Sequence, residues 1–102
     1  MKAIMIDQFG PPSVLTLQEV DPPKPKDSEV LIRVKAAGIN PIDYKIRNGS
    51  SRLCKELAKS FPVGLGFDLA GEVVEAGSKA PHIQKGDHVF GVVGFPNQPG
   101  CY

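Results

Sequence analysis

The sequence predicts a mainly β chain, a partly open antiparallel barrel carrying one or two short helices, and three observations predict it. Gly and Pro are abundant, at 11 and 10 of 102 residues, while aromatic residues make up only 7%. That composition suits short strands joined by tight turns more than a helical bundle. Apolar and polar residues alternate with period two around Val30, Ile32 and Val34, with Arg33 and Lys35 pointing the other way, as in a half-buried strand. Helical spacing occurs only near the middle of the chain, between Asn40 and Pro62. A closed or partly open barrel packs such a series of strands while leaving few free edges.

The elements follow in order. Lys2 to Asp7 reads as a first strand, ended by Phe9-Gly10-Pro11-Pro12. Val14 to Val20 reads as a second, with Leu15 and Leu17 on one face and Thr16 and Gln18 on the other. Asp21 to Asp27 contains Pro22, Pro23 and Pro25, which remove ladder donors, so it is a surface loop. After the strand through Val30 to Val34, Asn40-Pro41-Ile42-Asp43 has the residues of a helix start. Asn40 suits the N-cap, Pro41 the first helical position, and Asp43 a side chain that reaches back to an orphan N–H. Ile42 and Ile46 share a face, and Gly49 supplies a left-handed stop. Ser51 caps a second short helix in which Leu53, Leu57 and Phe61 recur before Pro62 ends it. Leu69 to Ala76 and Asp87 to Val93 complete the strands, and Phe95 to Gly100 is a loop.

Composition also limits function. A net charge of +1 offers no single-sign field for nucleic acid or a membrane surface. No apolar run approaches the roughly 18 residues of a membrane span, and the N-terminal apolar stretch is too short for a signal peptide and is interrupted by Asp7. Two cysteines without a CxxC pair point to free thiols in a reducing, cytoplasmic setting.

The glycines of Gly64-Leu65-Gly66-Phe67-Asp68-Leu69-Ala70-Gly71 do not make a dinucleotide fingerprint. The third comes two positions too late, and the segment leads into a strand instead of opening a helix. Tight turns and close backbone approach explain them better. Cys54, His82, His88 and Cys101 lack the local pairing of zinc ligands. No Ser or Cys sits in a nucleophile elbow. The residues taken alone describe a small β domain without a complete active site.

Three segments nevertheless occur in a telling order: Glu29 to Asp43, Gly66-Phe67-Asp68-Leu69-Ala70-Gly71-Glu72-Val73-Val74, and Lys85-Gly86-Asp87-His88-Val89-Phe90-Gly91. Together they resemble the N-terminal, GroES-like domain of the medium-chain dehydrogenase/reductase superfamily, over essentially the whole chain. The opening Lys2-Ala3-Ile4 and the Phe9-Gly10 turn agree. Within that superfamily the chain is similar to the quinone oxidoreductase branch. The zinc alcohol dehydrogenases have a Cys ligand where Asn40 stands, and a His-Glu pair where Phe67-Asp68 stands. An amide and a phenyl ring replace neither a thiolate nor an imidazole on zinc. Val89 to Gly100 also lacks the four cysteines of their structural zinc lobe.

The resemblance implies zinc-independent hydride transfer from NADPH to a quinone or an α,β-unsaturated carbonyl. Such acceptors spread developing charge by conjugation, so the protein's work is positioning and water exclusion. It implies that Asn40 and Asp43 face the cofactor, that Tyr44 donates to an acceptor oxygen as the catalytic group, and that Phe67 lines the substrate pocket. Capping accounts equally for Asn40 and Asp43, and packing for Tyr44 and Phe67. A Rossmann domain beyond Tyr102 would hold most of the cofactor, and would supply a homodimer contact. The sequence stops just after a turn, as a piece of a longer protein would. The competing reading is a free-standing GroES-like module that docks to a protein partner. It calls for an oligomerising loop or an exposed apolar patch, and the sequence displays neither. Its best contact would be the Pro22 to Pro25 loop.

Overall fold

The computed structural model describes residues 1–50, 52–93 and 100–102. The expected cap at Ser51, the loop from Phe95 to Pro99 and the side chains of Leu53 and Leu57 lie outside the described residues.

The strands are β1 (Lys2–Ile6), β2 (Thr16–Glu19), β3 (Val30–Ala37), β4 (Val63–Gly64), β5 (Asp68–Ala76) and β6 (His88–Val92). Two helices, α1 (Pro41–Asn48) and α2 (Arg52–Leu57), separate β3 from β4. The strands form two antiparallel sheets, ordered β2-β1-β4 and β3-β5-β6, and the described strands do not close into a barrel. This is the partly open form of the expected fold.

Four details differ from expectation. A 3-10 turn over Pro12–Val14, closed by the Leu15 N–H donating to the Pro12 carbonyl at 3.1 Å, delays β2 to Thr16. On β2 the apolar face is the outer one: Leu17 is 63% exposed, while Gln18 pairs with the buried Ala3. An edge strand that pairs only with β1 takes its orientation from that partner, not from its own pattern. The short β4 carries no strand signal of its own and exists because Val63 and Gly64 pair with Ile6 and Met5. In β3, irregularities in register after Leu31 and after Val34 break the alternation, with Val30 and Ile32 half-buried and Val34 37% exposed.

Helix α1 forms as the residue types dictate. Asn40 is extended at φ −130°, Pro41 occupies the first turn, and an oxygen of Asp43 accepts the Asn40 backbone N–H at 2.8 Å. Gly49 stops the helix at φ +65°, and a Cβ there would lie 2.8 Å from Cγ of Phe9. Only glycine meets both demands. Ile46 is fully buried in a core with Ile6, Cys54, Ala58, Val63, Leu65 and Phe67. Cys54 on α2 and Ala58 just past its end are buried, and Phe61 stands partly open with its ring edge-on to Phe9 at 5.1 Å. The core thus sits beneath the two helices and the β4–β5 connection, and it fixes the polar residues at the head of α1.

Candidate functional site

The polar residues converge where α1 begins. Asp43 is buried, 5% exposed, and both its oxygens are engaged by protein groups. Oδ2 accepts the Asn40 backbone N–H at 2.8 Å and the Tyr102 hydroxyl at 2.9 Å, and Oδ1 accepts the Gly66 N–H at 3.1 Å. One carboxylate therefore joins the helix start, the turn before β5 and the segment 100–102. Charge-assisted bonds of this kind are stronger than neutral ones. Gly66 has φ +92°, and a Cβ would fall 2.6 Å from the Tyr102 ring, so glycine permits both the turn and the ring's approach.

Segment 100–102 packs along this turn. Cys101 and Tyr102 both donate backbone N–H groups to the Leu65 carbonyl, at 3.0 and 3.2 Å. The Tyr102 hydroxyl also lies 3.1 Å from the Gly38 carbonyl. Burial first, and then the hydrogen bond to Asp43, push the Tyr102 phenol up to about 12. Burial also pushes the Cys101 thiol up.

Asn40 carries its side chain to the first residue of β5: Nδ2 donates to Oδ2 of Asp68 at 2.6 Å. Tyr44 is half exposed on the same helix. Phe67 is 4% exposed, and its packing is with the core cluster. The structure thus brings Asn40 and Asp43 together, leaves Tyr44 accessible beside them, and sets Phe67 behind them in the core. Two members of the cluster were not singled out from sequence. Asp68 follows Phe67 in a recognisable segment, and nothing local marked it as the partner of Asn40, 28 residues away. Tyr102 gives no sequence signal of its role at all.

A separate apolar groove of about 570 Å³ runs along β3, β5 and β6, with Ile32, Val34, Leu69, Val89 and Ile83 among its lining. None of Asn40, Asp43, Tyr44 or Phe67 borders it, so the polar chemistry lies elsewhere. Exposed apolar residues are also present: Phe90 at 88%, Ile39 at 84% and Val92 at 66%. Phe90 and Val92 lie two apart on β6 and so share a face, and strand alternation alone does not reveal which face lacks a covering layer. Among the described residues, no group of three or more His, Cys, Asp or Glu is placed to hold a metal ion. No helix among them is long and apolar enough to cross a membrane.

Comparison with known proteins agrees with this architecture. Residues 26–102 match the family described as the alcohol dehydrogenase GroES-like domain. The quinone oxidoreductase of Sus scrofa is 44% identical over 93 residues, covering 90% of this chain and 27% of that protein. The quinone oxidoreductase structure from Coxiella burnetii superposes with a TM-score of 0.94 at 51% identity, covering all of this chain and 32% of its own. The Escherichia coli quinone oxidoreductase complexed with NADPH superposes at 0.79 with 38% identity, over 88% of this chain and 26% of that one. NAD-dependent alcohol dehydrogenases are also among the relatives. The chain spans about a quarter to a third of the length of these relatives. With the two-sheet fold, the short central helices and the matched segments all in agreement, the chain belongs to the alcohol dehydrogenase GroES-like domain family, with its resemblance on the quinone oxidoreductase side.

Proposed function

We propose that this chain supplies the acceptor-side domain of an NADPH-dependent oxidoreductase that transfers hydride to a quinone or an α,β-unsaturated carbonyl without zinc. The observation that carries the reading is the amide of Asn40, held at the head of α1 by Asp68, where zinc enzymes of the superfamily have a thiolate ligand. An amide nitrogen that donates to a carboxylate is no metal donor, and it retains hydrogen-bonding capacity for a sugar or carboxamide. The site residues therefore fit a nicotinamide nucleoside. NADPH, when bound, supplies the hydride. Asn40 binds and orients its ribose end, Asp43 holds the helix start in place, and the open hydroxyl of Tyr44 donates to the acceptor oxygen. In this reading Phe67 lines the substrate pocket, with its ring fixed by the core cluster it packs in.

The phosphates and adenosine belong, in this reading, to a Rossmann domain outside these residues, which also supplies a homodimer contact. A reducing, cytoplasmic setting suits Cys54 and Cys101, neither of which forms a disulfide. The test is calorimetric titration of NADPH into the protein expressed from its natural gene, against the Asn40→Ala variant. Loss of one such hydrogen bond weakens binding by about tenfold. No binding, or equal binding by the variant, contradicts the reading.

The exposed Phe90, Ile39 and Val92 favour a second reading, a module that docks to a protein partner. A natural product no larger than this chain, without affinity for NADPH, would make it the better account.

A further inference from the structure

We infer that Asp68 is a positioning residue: its carboxylate fixes the amide of Asn40 in one orientation for the nicotinamide nucleoside, an inference that rests on the cofactor contact proposed for Asn40. Three features of the structure support this role. The contact is short, with Asn40 Nδ2 donating to Asp68 Oδ2 at 2.6 Å. A carboxylate only accepts, so a flipped amide would set its oxygen against Oδ2, and only one orientation survives.

The support beneath Asp68 is also rigid. Its backbone carbonyl accepts the Gly38 N–H at 3.1 Å, and it pairs with Val92 across β5 and β6. A Cβ at Gly38 would lie 2.9 Å from the Asp68 Cβ and 3.1 Å from Oδ2, so the missing side chain is what lets the carboxylate lie there.

Asn40 is then held from two sides. Asp43 grips its backbone N–H at 2.8 Å, and Asp68 grips its side chain. Helix α1 and strand β5 belong to different parts of the fold, and this pair of contacts joins them at the residue that meets the ligand. A side chain locked by a neighbour presents its hydrogen-bonding edge without further loss of rotamer freedom on binding.

The experiment uses the protein expressed from its natural gene, with NADPH as the probe. Asp68→Ala should raise the Kd for NADPH by about tenfold, the scale of one charge-assisted hydrogen bond. Asp68→Asn can turn its own amide oxygen toward Asn40, and should stay within about threefold of wild type. Should Asp68→Ala not fold, Asp68→Ser takes its place, since a hydroxyl is too short to reach the amide. A second readout needs no cofactor: with asparagine labelled by ¹⁵N, the Asn40 side-chain amide protons should resonate apart from those of solvated amides. They should collapse toward the solvated position in Asp68→Ala or Asp68→Ser and hold in Asp68→Asn. An unmoved amide signal, or an unchanged Kd, in the truncated variant overturns the inference. Where Asn40→Ala weakens NADPH binding and Asp68→Ala does not, the inference alone fails. Where neither weakens it, the proposed contact at Asn40 fails with it.

Discussion

The carboxylate of Asp43 and the backbone N–H of Gly66 meet at 3.1 Å across 23 residues of sequence, and the contact is buried. It ties the first turn of α1 to the turn that launches β5. Asp43→Ala would leave the Gly66 N–H, the Asn40 N–H and the Tyr102 hydroxyl without their acceptor. We expect a loss of about 2–4 kcal/mol in chemical denaturation, because buried donors lose a charged partner. A loss below about 0.5 kcal/mol would mean that water takes over the carboxylate's role.

Gly66→Ala places a Cβ at φ +92° and 2.6 Å from the Tyr102 ring. Backbone strain and the ring's displacement together should cost at least about 2 kcal/mol. Gly91→Ala is the control, since nothing lies within 4 Å of the Cβ it adds and its backbone carries no left-handed φ. That substitution should stay within about 0.5 kcal/mol of wild type.

Tyr102 makes stability depend on alkaline pH. Its phenol rises from 10.0 to about 12 in the folded chain, through burial and the Asp43 hydrogen bond. A group whose folded value is raised contributes stability that is complete below its unfolded value and disappears as pH climbs through the folded one. The contribution should hold up to about pH 10 and fade between pH 10 and 12. Denaturation midpoints measured across that window should fall in the wild type more steeply than in Tyr102→Phe. Equal slopes would remove Tyr102 from the account.

Leu17 of β2 and Ile46 of α1 test how far patterning can be trusted. Leu17→Ser should change stability by no more than about 0.5 kcal/mol, since Leu17 is 63% exposed. Ile46→Ala should cost about 2–5 kcal/mol, because Ile46 is fully buried. Thermal or chemical denaturation of both variants checks the contrast.

What could be read from the sequence was local. The helix start at Asn40, Pro41 and Asp43 and its stop at Gly49 are short-range chemistry, and the structure forms both. Strands β3, β5 and β6 were legible within a residue or so at most ends because composition and alternation agree there. Strand β4 was not, since two residues carry no period and their pairing with β1 is decided from outside the segment. The outward turn of Leu17 was hidden for the same reason. The site divided along this line as well. Asn40 and Asp43 were found through a motif, but the partners that give them their geometry, Asp68 and Tyr102, lie 28 and 59 residues away from them. Only the fold brings such residues together.

The most direct measurement of the central claim is NADPH consumption by the protein from its natural gene, with a quinone and an enone as acceptors, before and after exhaustive treatment with a metal chelator. The account predicts turnover with one or both acceptors that survives chelation. No turnover with either, or turnover that chelation abolishes and zinc restores, would contradict it.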